Sequence, residues 1–179
     1  APYLEMAAVP TTGHRPESPV MRAFSSVTKF IDGDTLLARI TPCLENGKTA
    51  FVDFLPASTV GWGSTEYIVL RPKPPLPGYW AYLLCRHTPF RQFAIQAMVG
   101  TSGRQRVEVS RLAQYLVAVP DERVADAFAR LVEPLRAKIA ANDESAKTLA
   151  SLRDTLLPRL MSGKLRVPET LTELKEVLI

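Results

Sequence analysis

The sequence predicts an α+β protein: a globular domain of mixed strands and short helices, followed by one long α-helix that pairs as an antiparallel coiled coil. Three observations carry this reading. From Asp121 to Gly163 the apolar positions run Val124, Phe128, Leu131, Leu135, Ile139, Ala146, Leu149, Leu152, Leu156 and Leu160, with Asn142 in the one gap. Their spacing in threes and fours marks one stripe along a helix. The composition also changes at Pro120. Residues 1–120 hold 12 Lys/Arg against 8 Asp/Glu, which is the whole net charge of +4, while residues 121–179 balance at ten and ten. The first part holds 13 of the 14 aromatic residues and 12 of the 15 prolines, the composition of a turn-rich domain with an aromatic core. Finally, strand and helix patterns in that part are mixed rather than regularly alternating, which favours α+β over a doubly wound sheet.

The expected organisation is a domain over 1–120, a long spacer or dimerisation helix over 121–163, and a tail over 164–179. Residues 1–30, broken by Pro10, Pro16 and Pro19, read as loop with short extended pieces. Ile31-Asp32-Gly33-Asp34 is a tight hairpin turn, because Asp-Gly accepts left-handed backbone. Thr35 to Thr41 alternates as a strand with Leu36, Ala38 and Ile40 on one face. Glu45-Asn46-Gly47-Lys48 turns the chain, and Thr49 to Leu55 returns. Glu66 to Leu70 is a further strand, stopped by Arg71-Pro72. Gly78 to Arg86 fits a helix, and Thr88-Pro89 opens another with an N-cap and an early proline, ending before Gly100. Thr101 to Arg106 is a polar, basic loop leading to Val107-Glu108-Val109. Ser110 caps a single turn, and Tyr115 to Val119 closes the domain as a strand.

Asp121 is placed to cap the long helix that follows Pro120. Forty helical residues reach roughly 60 Å at 1.5 Å per residue, too far for a small domain to cover the stripe. A second helix of the same kind is therefore expected, in a homodimer with balanced charge. The ten steps from Val124 to Leu160 average 3.6 residues, which predicts a nearly straight pair. Asn142 either fixes register or is simply exposed. Pro134 should kink the helix and Pro158 disturb its end. In the tail, Thr170 and Glu173 suit the capping box of a short second helix.

Catalysis requires convergent groups, and the sequence offers none. His14 and His87 stand in unrelated contexts, away from any recognisable nucleophile. Asp32 and Asp34 flank Gly33 as turn residues rather than as a metal or acid pair. Cys43 and Cys85 lack a second thiol at metal or redox spacing and read as small buried or half-buried side chains. With no phosphate loop, zinc spacing or cofactor motif, the chain is expected to be a non-enzyme without metal or cofactor of its own. No apolar run reaches membrane-spanning length and no signal-peptide pattern opens the chain, so a cytoplasmic location without membrane contact is expected.

The basic excess of the domain suits DNA. Lys29, Arg39, Lys48, Arg104 and Arg106 lie in or beside loops. The candidate DNA-contacting residues are Arg39, Lys48, Thr101, Ser102, Arg104, Gln105 and Arg106. Arginine can bind guanine bidentately, glutamine can do so with adenine, and hydroxyls hold phosphate.

Several stretches carry a family resemblance. Gly33 to Pro42 through Asn46-Gly47-Lys48 resembles the hairpin of target recognition domains in specificity subunits of type I restriction–modification systems. Ser64 to Pro72 is similar to their next strand, and Gly103-Arg104-Gln105-Arg106-Val107 with Leu116 to Pro120 to their end. Leu152-Arg153-Asp154-Thr155-Leu156-Leu157-Pro158-Arg159-Leu160-Met161-Ser162-Gly163-Lys164-Leu165 resembles the close of their conserved spacer helix.

The resemblance implies a non-catalytic DNA reader. It would recognise half of a two-part site in double-stranded DNA and recruit a modification (adenine methyltransferase) subunit and a restriction subunit. S-adenosylmethionine, ATP and Mg are then expected only on those partners. The family's full subunit has two recognition domains and two spacer helices. This sequence has one of each, as a natural half-subunit or a piece of a longer chain would. Two other readings stay open: the recognition module of a fused restriction–methylation enzyme, and a coiled-coil adaptor whose basic domain binds protein.

Overall fold

The structure is a computed structural model, and it describes residues 1–25 and 28–165. Its elements in chain order are β1 (Pro2–Leu4), β2 (Val20–Met21), β3 (Thr28–Phe30), β4 (Thr35–Ala38), β5 (Thr49–Phe51), β6 (Gly61–Gly63) and β7 (Tyr67–Leu70), then α1 (Gly78–Arg86), α2 (Thr88–Gln96), α3 (Val109–Leu112) and α4 (Glu122–Met161). The α+β class is as the sequence predicts. The chain divides into two compact units, Ala1–Glu133 and Pro134–Ile179.

Two small sheets build the first unit, one ordered β2-β1-β6-β3 and the other β5-β4-β7. In the second sheet β4 runs antiparallel to both neighbours, with Leu36 opposite Ala50 and Val69. This central strand is buried on both faces. Leu36 packs with Leu4, Val9 and Phe30, while Leu37 packs with Cys85, Phe90 and Val107. The strand is thus apolar throughout rather than alternating, as burial on both sides demands. Its regular part ends at Ala38, and Ile40 continues only through an isolated bridge to Arg106.

The helices follow their apolar spacing. Tyr79 and Tyr82 in α1 pack on Phe51, and Cys85 lies one turn beyond Ala81 in the buried stripe. Phe90 and Ala94 do the same in α2. Asp121 caps α4 as expected, its Oδ1 accepting from the Val124 amide at 2.9 Å. The first turns of α4 bury Ala125 and bring Val132 against Phe51, Tyr79 and Tyr82. The helix runs on through Pro134 and Pro158 and ends beside Gly163, whose φ of 69° suits a C-terminal glycine.

Four local readings change. The Ile31–Asp34 turn is present, with Gly33 at φ 85°, yet it is not a hairpin, because β3 and β4 belong to different sheets. Helix α2 starts at Thr88 itself, with His87 in the capping position, so Thr88 is not the cap. Ser110 lies inside α3, which Glu108 precedes. Residues 115–119 join no strand ladder among the described residues, and Leu116 is 92% exposed. An apolar run becomes a strand only when a neighbouring edge accepts its amides. The short helix expected around Thr170 and Glu173 lies outside the described residues.

Candidate nucleic-acid interface

The expected DNA-contacting residues fall into two structural groups. Arg39, Gln105 and Arg106 come together. Val99 and Arg106 exchange a pair of backbone hydrogen bonds at 2.9 Å, closing the six residues 100–105 into a loop. The same base is joined to the end of β4: the Thr41 amide donates to Gln105 O at 3.0 Å and the Val107 amide to Arg39 O at 2.9 Å. The loop is folded tightly on itself, with the Arg104 amide donating to Thr101 O at 3.0 Å. Gly100 permits this fold. Its φ is 129°, and a Cβ there would meet Arg104 O at 3.0 Å.

At the rim of this loop Arg106 is not a free cation. Its guanidinium donates to both carboxylate oxygens of Glu66 at 2.7–3.0 Å, and this pairing raises the arginine pKa. The Glu66 carbonyl accepts from the Arg39 amide at 2.9 Å. Glu66 therefore holds the loop base through both backbone and side chain, a part the sequence did not signal. Arg39 is half-buried, and its Nε lies buried without a hydrogen-bond partner among the described residues. Thr101, Ser102 and Arg104 are exposed, and Gln105 is half-buried. No hydrogen bond or ion pair joins the exposed Arg104 side chain to the described residues.

Lys48 belongs elsewhere. Its ammonium donates to the carbonyls of Met6 at 2.8 Å and Ala7 at 3.1 Å, anchoring the N-terminal segment. The turn preceding it is held down too. Arg86 donates to Gly47 O at 2.9 Å and Thr11 O at 2.8 Å, and Arg91 to Glu45 O at 3.1 Å. Leu44 is buried beneath. The sequence reads Lys48 as a candidate DNA-contacting cation on a turn. In the structure the tip of that turn is tied to the helices, because backbone carbonyls in a tight turn need donors and the nearby arginines supply them.

His14 is a second feature hidden from the sequence. It is 2% exposed, its Nε2 lies 3.1 Å from Asp53 Oδ2, and its ring meets Tyr79 and Tyr82 edge-on. Arg15 donates to the other Asp53 oxygen at 3.1 Å. Tyr82 donates its hydroxyl to Gly13 O at 2.5 Å. These contacts fasten Gly13 and His14 to α1, and His14 and Arg15 to Asp53 beyond β5. They are structural, and they hold a proline-rich segment that has no periodicity of its own. Among the described residues no group of three or more His, Cys, Asp or Glu side chains is arranged to hold a metal ion. No described helix is long and apolar enough to cross a membrane.

The long helix presents its stripe openly. Val124, Leu131, Leu135, Ile139, Leu149, Leu152 and Leu160 are 37–72% exposed, with Phe128 and Leu156 half-buried.

Comparison with known proteins gives a consistent result. The chain is 33% identical over 110 residues to the specificity subunit of the type I restriction enzyme EcoEI of Escherichia coli, which is 59% of this chain and 18% of that protein. It is 37% identical over 81 residues to the EcoAI specificity subunit of Escherichia coli, covering 45% of this chain and 14% of the relative. The MjaIX specificity subunit of Methanocaldococcus jannaschii is 35% identical over 63 residues, covering 35% of this chain and 15% of the relative. The chain thus spans less than a fifth of each relative's length. No family profile matches it. A solved structure concerned with complex assembly and conformational transition of the type I restriction–modification system shares the fold. Its TM-score is 0.55 at 22% identity, over 89% of this chain and 42% of that one. In sequence this chain is similar to the specificity subunits of type I restriction enzymes.

Proposed function

We propose that this chain is a non-catalytic DNA-recognition subunit, reading half of a bipartite site for a type I restriction–modification complex. The observation that carries the reading is the loop 100–105: four exposed or half-exposed donor side chains on a turn whose base is pinned by Glu66 and Arg106. A loop held this way loses little conformational freedom on binding, the condition under which few contacts yield selectivity. Arg104 and Gln105 would read base edges, while Thr101 and Ser102 would position the backbone of the duplex. The stripe from Leu131 to Leu160 would pair antiparallel with a second spacer helix, in a homodimer of this chain. The resulting pair would hold two recognition domains apart and offer surface to the modification and restriction subunits. Methyl transfer and cleavage, with S-adenosylmethionine, ATP and Mg, would belong to those partners.

Mapping methylated adenines in a genome that expresses the chain with its methyltransferase partner tests this directly. A two-part motif with a constant gap is expected, and a methylation pattern indifferent to the chain would refute the reading. Arg104→Ala should relax one base position and weaken the cognate site by roughly 1–3 kcal/mol.

A further inference from the structure

The sheet β2-β1-β6-β3 has one face in the core, where Leu4 and Phe30 are fully buried. The pairing register puts their alternate neighbours in one row on the other face: Val20 opposite Tyr3, Tyr3 opposite Trp62, and Trp62 opposite Lys29. That row is a compact stack of rings and cations. Tyr3 and Trp62 have centroids 4.4 Å apart, and Phe24 meets Trp62 edge-on at 6.0 Å. The Arg22 guanidinium lies 4.4 Å above the Tyr3 ring, and Lys29 Nζ lies 4.8 Å from the Phe24 centroid. Phe24 is 50% exposed, and the Arg22 side chain is 48% exposed although it pairs with Glu5.

The geometry points to this row as a second DNA-backbone contact, with Arg22 and Lys29 each meeting a phosphate. The inference rests on the DNA-recognition reading above. Two observations select DNA as the occupant. Two cations face one carboxylate, and each lies over a ring while remaining exposed, Arg22 with 48% of its side chain accessible. The row is also near the loop base along the chain. Trp62 is four residues from Glu66, which holds Arg106, so their Cα atoms are separated by at most about 14 Å. At roughly 3.4 Å of helix axis per phosphate on one strand, that distance spans about four phosphate steps. Contacts of this kind carry no sequence information, so the row would add affinity while the loop adds selectivity.

The test uses the full chain assembled with its methyltransferase partner, titrated with cognate and scrambled duplexes at several salt concentrations. Arg22→Gln with Lys29→Gln should lower the salt slope by about 1.8 and reduce affinity ~60-fold at 0.1 M salt, equally on both duplexes. Glu5→Gln, which frees Arg22, should strengthen binding to both. Wild-type binding that neither variant alters would overturn the inference and leave the recognition reading intact. Absence of DNA binding by the wild-type assembly would overturn both. Loss of subunit assembly with an unchanged salt slope would overturn the inference in favour of a protein contact at the row.

Discussion

The β4–β7 ribbon, joined at one end to the base of the 100–105 loop, is clamped at its other end by a buried carboxylate, and Arg71→Met would expose how much that clamp contributes. Asp34 is fully buried. It accepts three hydrogen bonds: from the Ile31 amide at 2.8 Å, from Arg71 Nε at 2.6 Å and from Arg71 Nη2 at 2.8 Å. Removing Arg71 leaves the carboxylate in the interior with one donor. Breaking a fully buried pair this way costs about 3–5 kcal/mol. The Arg71 side chain is 58% exposed, so water screens it and roughly 2–3 kcal/mol is the expected loss. Both tryptophans, Trp62 and Trp80, lie in the globular unit, so their fluorescence reports its unfolding in urea. With a slope of about 1–3 kcal/mol per molar urea, the midpoint should fall by about 1 M. The companion Asp34→Asn removes the buried charge and keeps an acceptor for the Ile31 amide. The double variant should therefore be more stable than Arg71→Met alone. Additive losses, or a midpoint shift for Arg71→Met corresponding to under about 0.5 kcal/mol, would refute the reasoning, since surface changes fall in that range.

Three further outcomes are expected. Lys48→Met should destabilise the globular unit by roughly 1.5–3 kcal/mol through loss of charged hydrogen bonds to Met6 and Ala7, measured by urea unfolding. A flattened DNA salt slope with unchanged stability would instead make Lys48 a phosphate contact. Leu135→Glu with Leu149→Glu should convert a dimer to monomers in light scattering at tens of micromolar, because both positions are exposed on the stripe. A wild-type monomer at that concentration would remove the helix-pairing proposal. Burial pushes the Cys85 thiol up to about 12, so native protein should alkylate at the half-buried Cys43 well before Cys85. The folded state then holds the Cys85 proton more tightly than the unfolded chain. Its contribution to stability is full below about 9 and is lost as pH rises toward 12, which urea midpoints across that interval would reveal.

Periodicity and capping alone determined much of this protein. The forty-residue α4, its Asp121 cap, α1 over Gly78–Arg86 and the antiparallel β4–β5 hairpin follow from local spacing, and the structure has them. Such features are legible because their causes lie within a few residues. The polar loop at 101–106 was legible for the same reason, since glycines at 100 and 103 take positive φ values of 129° and 80°. Everything that depended on a distant partner was decided by the tertiary structure. Whether residues 115–119 form a strand depends on an edge to pair with, and Leu116 stays exposed. Whether Lys48 and Arg106 are free cations depends on Met6, Ala7 and Glu66, which are 42, 41 and 40 positions away in the chain. The anchoring of residues 13–15 needed Tyr82 on α1 and Asp53 beyond β5, and no local pattern encodes those contacts. A charge is read from sequence as a donor, but its availability is set by whichever acceptor the fold brings within about 3 Å.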